Sequence, residues 1–345
     1  MPDGFTAHRP RGGDAGSGGT DGGRSDHART GRRGGRRGGL GFLAGGYRTA
    51  EVLGEQIACV RSAGAGFGVN LFVPNRVPVD PGAFRAFARA IAPEFRAYGL
   101  DTAETRVVED DDHWADKLDL LLSSPVPAVG FTFGLPRPSV VAAFRRAGTL
   151  VVQTVTSAAE ARAAAEAGVD VLAVQASAAG GHSGTWTPRR TPPAVPLPDL
   201  LRAVRQEVSL PLVAAGGIAT PDAVTGALAA GAGAVMVGTV LLRADEAGTS
   251  APYRAALADP RRRRTVVTRA FTGRPARALR NGFTDRYSAL APDGYPALHH
   301  LTRPVRGAAA AAGDPGRINL WAGTGHRHAT AEPAARILHR LASRV

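Results

Sequence analysis

Between Gly38 and Leu242, seven short apolar runs recur, each followed by a helix-forming segment or a Gly-rich turn. The runs are GGLGFLAGGY (38–47), GFGVNLFVP (66–74), PAVGFTFG (127–134), TLVVQTV (149–155), VDVLAVQ (169–175), PLVAAGGI (211–218) and AGAVMVGTVLL (232–242). Most are apolar throughout rather than alternating in polarity, so both faces of each strand must be covered, as in a parallel sheet wrapped by helices. Right-handed crossovers then leave two architectures, a closed (β/α) barrel or a doubly wound open sheet. The GxGxxG turn with a following acidic residue that would mark an open dinucleotide-binding sheet is not evident. The expected fold is therefore α/β, a TIM (β/α)8-type barrel. A closed barrel needs eight strands and seven are visible, so its first strand is expected to be missing or degraded.

The helices between these runs carry their own punctuation. Thr49 is placed to cap a helix over 50–61, and helices are expected over 81–98, 110–122, 139–147 and 199–207. Ser157 and Glu160 form a capping-box pattern ahead of AAEARAAAEA, which closes at Gly168. Thr220 and Pro221 stand at the cap and first position of a helix ended by Gly231. The barrel thus spans 38–243. The remainder, 244–345, including GRPARALRN (273–281) and INLWAGTGHRH (318–328), reads as a helical cap and C-terminal extension of the same domain. Residues 1–37 are rich in Gly, Arg, Asp and Ser and nearly free of aliphatic side chains, too little to offset the entropy of ordering, so they are expected to form a disordered tail.

A net charge of +13 raises nucleic acid as a partner. Its densest clusters, Arg32, Arg33, Arg36 and Arg37 in the tail and Arg261 to Arg264, lack interleaved aromatics and any surrounding nucleic-acid module, so solvated charge is the reading and nucleic acid is not expected. No apolar segment reaches the roughly 18 to 20 residues that span a membrane. Arg32–Arg33 is followed by a glycine-broken stretch unlike an export signal. The single cysteine, Cys59, has no partner for a disulfide within the chain and fits a small apolar role on its helix. A cytoplasmic protein is expected, with no metal site.

The chemistry concentrates after the run at 169–175. QASAAGGHSGT (175–185) leaves the end of a buried strand, pairs Gly180 with Gly181 so that backbone can approach a ligand, and then offers His182, able to exchange protons near neutral pH. The next two strand ends carry AAGGI and VGT. Gly216 and Gly217, with the Thr220 helix start behind them, and Gly238 with Thr239 can offer backbone N–H groups to one anion, as loops after the seventh and eighth strands of such barrels commonly do for a phosphate. The amides of Gln175 and Asn70 suit the edge of a heterocycle such as a flavin.

The segments GGLGFLAGGY, FGVNLFVP, VQASAAGGHSGT, LVAAGGI and AVMVGT, in this order and spacing, resemble the nitronate monooxygenase family. YPALHHLTRPVR and LWAGTGH are similar to its closing segment, so the resemblance covers roughly Gly38 to the end. It implies an FMN-dependent barrel that oxidises alkyl nitronates with O₂ to a carbonyl compound and nitrite. Carried across, Asn70, Gln175, Gly180, Gly217, Met236, Val237, Gly238 and Thr239 hold FMN, and His182 is the active-site histidine. The partners implied are a small nitronate or nitroalkane and O₂.

Two departures stand out. Where the family reads roughly QGxEAGGH, this chain has Ala176 and Ala178, which bears on substrate range. Relatives also open with an apolar strand ending in Pro-Met-x-Gly-Gly, to which nothing before Gly38 corresponds; residues 1–37 are expected to be a frameshifted or misassigned version of that strand, the alternative being a genuine variant that has lost it. Two rival readings follow. One is an NAD(P)H-dependent flavin reductase of the same superfamily, acting on enoyl thioesters or quinones; the other is a non-catalytic, degraded barrel whose basic tail binds nucleic acid.

Overall fold

The computed structural model describes residues 6–7, 39–74, 78–102 and 105–345. Seven parallel strands form one curled sheet: β2 (Gly41–Ala44), β3 (Phe67–Phe72), β4 (Ala128–Thr132), β5 (Leu150–Val155), β6 (Val171–Gln175), β8 (Leu212–Ala215) and β9 (Ala234–Met236). They neighbour one another in chain order, so each crossover helix packs outside the strands it joins. A two-residue piece, β1 (Thr6–Ala7), runs parallel to β9 with Thr6 opposite Val235 and Ala7 opposite Met236. It stands beside β9, at the position of a first barrel strand. The expectations about a tail over 1–37 otherwise fall outside the described residues.

The covering helices are α1 (Ala50–Ser62), α2 (Pro81–Arg96), α3 (Trp114–Ser123), α4 (Pro138–Arg146), α5 (Ala158–Glu166), α6 (Leu197–Glu207) and α7 (Pro221–Ala229). In α6 the spacing of Leu197, Leu200, Leu201 and Val204 makes one apolar stripe, and all four are buried against the sheet. Each such side chain contributes roughly 1.5–3 kcal/mol by leaving water. The large core lies between the sheet and these helices. A second, small one fills the barrel interior, from Val152, Val171, Ala173, Val213 and Ala234.

Two elements differ from expectation. The helix expected over 110–122 begins only at Trp114, because the carboxylates ahead of it are used elsewhere: Asp110 meets His300 at 2.8 Å, while Asp112 accepts from Tyr47 N at 2.8 Å and faces Lys117 at 2.8 Å. Asp112 and His113 take positive φ to turn the chain there. The C-terminal region is also less helical than expected. β10 (Thr265–Thr268) and β11 (Ala276–Leu279) form an antiparallel pair, and β11 continues onto β7 (Gly181–His182), the strand formed by the glycine loop itself. The β-branched run TVVT supplies the first of these strands. α8 (Ala251–Ala258), α9 (Gly282–Tyr287), α10 (Ala297–Ala311) and α11 (Ala334–Leu341) complete the chain.

Among the described residues no helix is long and apolar enough to cross a membrane.

Candidate active site

The strand ends of β6, β8 and β9 open onto a cleft of about 880 Å³, mouth included. Gln175, Gly180, Gly181, His182, Gly216, Gly217, Met236, Val237, Gly238 and Thr239 all line it. The structure thus gathers nine of the ten expected cofactor-binding residues with the expected histidine. Asn70 lines a neighbouring cavity of about 530 Å³ in the barrel interior, which shares Gln175, Ala215 and Met236 with the cleft.

The glycines serve a purpose beyond backbone access. A Cβ at Gly180 would lie 2.4 Å from Gly323 N, and one at Gly216 would lie 2.8 Å from the carbonyl of Ala176. Gly181, Gly216 and Gly217 hold φ of 78°, 108° and 78°. These residues are small chiefly so that three loops can pack on one another. The third loop comes from the C-terminus: Gly323 N donates to Thr239 Oγ1 at 3.0 Å and Thr324 N to the Ala178 carbonyl at 3.1 Å. Thr220 caps α7 behind Gly217, accepting from Ala223 N at 3.2 Å.

Gln175 turns out to brace the histidine loop. Its Oε1 accepts from Gly184 N at 2.6 Å and its Nε2 donates to the His182 carbonyl at 3.3 Å, leaving one N–H and one lone pair for a ligand. Asn70 Oδ1 accepts from Thr132 Oγ1 at 2.9 Å, and among the described residues its Nδ2 has no hydrogen-bond partner. Glu160 departs from the reciprocal capping box. Ser157 Oγ accepts its N–H at 3.2 Å, but its own carboxylate takes Thr156 N at 2.6 Å and Trp186 N at 2.8 Å, tying α5 to the end of the histidine loop.

His182 is buried among rings, with centroids of Trp321, Phe133 and Tyr295 at 5.2, 5.6 and 5.8 Å. Its Nε2 lies 2.9 Å from Thr272 Oγ1. Phe133 follows β4 with φ of 81°, a strained conformation for a side-chain-bearing residue. The fully buried Arg274 guanidinium covers its ring at 3.9 Å and donates to the carbonyls of Phe133, Ser183 and Thr185. Sequence reasoning missed Thr272, and saw Phe133, Arg274, Tyr295, Trp321 and Gly323 only as members of longer segments with no role of their own. The arginine inside the short-residue run TGRPA (272–276) was the one available signal.

The cleft's lining includes no Asp, Glu, Lys or Arg among the described residues, and His182 is its one ionisable side chain. A sequence model described as nitronate monooxygenase matches residues 34–343. The chain belongs to the nitronate monooxygenase family. It is 33% identical to a probable nitronate monooxygenase of Staphylococcus aureus (strain JH9), over 89% of this chain and 88% of that protein. Its structure is similar to that of nitroalkane oxidase from Streptomyces ansochromogenes, with a TM-score of 0.89 and 41% identity over 98% of this chain and 94% of the other. FabK from Thermotoga maritima shares the fold, with a TM-score of 0.72, 23% identity and coverage of 100% and 93%. As a nitronate monooxygenase family member the chain is an oxidoreductase on a TIM-barrel scaffold.

Proposed function

We propose that this family member binds FMN in the cleft and oxidises alkyl nitronates with O₂ to a carbonyl compound and nitrite. The observation that carries the reading is the juxtaposition of a glycine-backbone wall, free of carboxylates, with a single buried histidine across the same cleft. Both a phosphate and a nitronate are anions, and such a lining spares them like-charge repulsion.

The residues fit the cofactor on their donor chemistry. Gly216, Gly217, Gly238 and Thr239 would hold its phosphate through backbone N–H groups, helped by the N-terminus of α7 behind them. Asn70 Nδ2 and the remaining N–H and lone pair of Gln175 would meet the polar edge of its ring, where the cleft joins the barrel interior. When bound, FMN supplies the two-electron acceptor and the reactivity toward O₂. The chain supplies position and charge. When its ring carries both protons, His182 would hydrogen-bond to the nitronate oxygens through Nδ1–H and stabilise their charge, while Phe133, Tyr295 and Trp321 exclude water around it. The same ring would take the α-proton if a neutral nitroalkane were the entering form.

The visible spectrum of the purified protein, with and without propyl nitronate, tests this. The expected protein is yellow, is bleached by propyl nitronate without air, and forms nitrite when air is admitted. A flavin bleached by NADH and untouched by propyl nitronate would overturn the reading in favour of a reductase. A colourless protein that takes up no FMN would overturn it altogether.

A further inference from the structure

We infer that Thr272 is a positioning residue whose hydroxyl fixes which ring nitrogen of His182 carries the proton. Its functional weight rests on the role given to His182 above; the protonation pattern itself does not.

Thr272 and His182 are both buried, at 1% and 5% exposure, so neither exchanges its hydrogen bond for water. Thr272 Oγ1 has two partners among the described residues, His182 Nε2 at 2.9 Å and the Arg274 carbonyl at 3.5 Å. A carbonyl only accepts. When Nε2 bears the proton it donates to Thr272 Oγ1, and the hydroxyl donates onward to Arg274, so every polar group in the chain is used. In the opposite arrangement Thr272 donates to a bare Nε2 and the Arg274 carbonyl loses this donor. Forgoing a hydrogen bond in a buried site is unfavourable. The relay therefore runs from His182 through Thr272 to Arg274, and the neutral ring carries its lone pair on Nδ1.

The turn holding Thr272 cannot follow the ring if it moves. Thr272 N and Gly273 N both donate to the Arg269 carbonyl, at 3.1 and 2.7 Å. Arg269 is itself tied to Asp293 at 2.8 Å and to the Pro188 carbonyl at 2.8 Å. Gly273, at φ of 75°, sits so close to Gly294 that a Cβ would lie 2.7 Å from its carbonyl carbon. On the other side Arg274 grips the Ser183 carbonyl at 3.3 Å, one residue beyond the histidine. The hydroxyl is thus a fixed reference against which the imidazole is oriented.

Long-range ¹H–¹⁵N NMR of protein labelled at histidine nitrogen reads the proton position directly, with the His182 signals assigned by their loss in His182→Asn. Above about pH 8, where imidazoles are ordinarily neutral, wild type should show a protonated Nε2 and a bare Nδ1 at His182. Thr272→Ser should keep that pattern. Thr272→Val, which fills the same volume without the hydroxyl, should lose it, and kcat on propyl nitronate should fall about 10–100-fold with KM little changed. A bare Nε2 in wild type overturns the inference, as does Thr272→Val with wild-type signals and turnover. Should Thr272→Val fail to fold, the wild-type spectrum alone decides. A protein with the expected pattern but no activity on nitronates would support the Thr272 assignment and sink the proposed reaction instead.

Discussion

The two walls of the cleft are built on opposite principles. The wall formed by Gly216, Gly217, Met236 to Thr239 and Gly323 contributes backbone and is shaped by missing side chains. The wall around His182 contributes side chains, and Thr272, Arg274 and Gln175 hold the histidine and its loop by specific hydrogen bonds. Each wall has its own weakness. The first fails when a methyl group is added, the second when a hydrogen-bonding atom is removed, and the two failures should be separable as loss of cofactor and loss of chemistry.

The largest effect should come from the second wall. His182→Asn keeps a polar side chain in the site but removes the titrating ring, and nitrite formation from propyl nitronate should fall about 10²–10⁴-fold. Flavin content, read from absorbance, should stay that of wild type. A variant that loses its flavin would show that the walls are not independent, and one that turns over normally would remove His182 from the reaction.

The converse experiment is Gly216→Ala. Its φ of 108° is costly for any side chain, and the added carbon would press on the Ala176 carbonyl at 2.8 Å. A loss of about 1–3 kcal/mol is expected. The lower melting temperature should accompany weaker FMN retention, while turnover per bound flavin stays near wild type. If turnover per flavin collapses with the flavin still bound, the glycine wall takes part in the chemistry and the division fails.

The same contrast explains what the sequence made legible. The barrel strands announce themselves because each is a local apolar run bounded by turns, and the glycine wall lies at their ends, at positions set by the fold. Gly180, Gly216 and Gly217 were visible as glycines, though their reason, the close approach of Gly323 and of the Ala176 carbonyl, was not. Of the histidine's supports, Gln175 was visible as an amide at a strand end but not as a brace, Arg274 stood out only as an arginine among short residues, and Thr272 gave no signal. Thr272 and Arg274 lie about 90 residues beyond His182, on a strand connection that pairs β11 with the glycine loop, and no local periodicity encodes such a pairing. Glu160 looked like half of a capping box because its spacing from Ser157 is right; its carboxylate answers instead to Trp186 in the folded chain.

The polar character of the second wall extends past the cleft and should be readable in the stability of the whole protein. Tyr295, beside His182, donates to Tyr47 Oη at 3.0 Å, and Tyr47 stacks on His299 with centroids 4.1 Å apart. Burial, and after it the nearby Arg306 guanidinium, His300, His182 and Arg303, hold the His299 imidazole well below its ordinary pKa of 6.5. The folded protein therefore keeps His299 neutral where the unfolded chain takes up a proton. Its contribution to stability is complete above pH 6.5 and is lost as pH falls from 6.5 toward the depressed folded value, at about 1.4 kcal/mol per pH unit. Denaturant unfolding at pH 7.5 and 5.5 should show that loss, amounting to about 1.4 kcal/mol at the lower pH. His299→Phe, which retains a ring to stack on Tyr47, should be less sensitive to the same change by about that amount. The glycine wall has no titrating group with which to respond, so an equal pH sensitivity in wild type and His299→Phe would mean that the buried polar network behind the second wall is not what links the cleft to the stability of the fold.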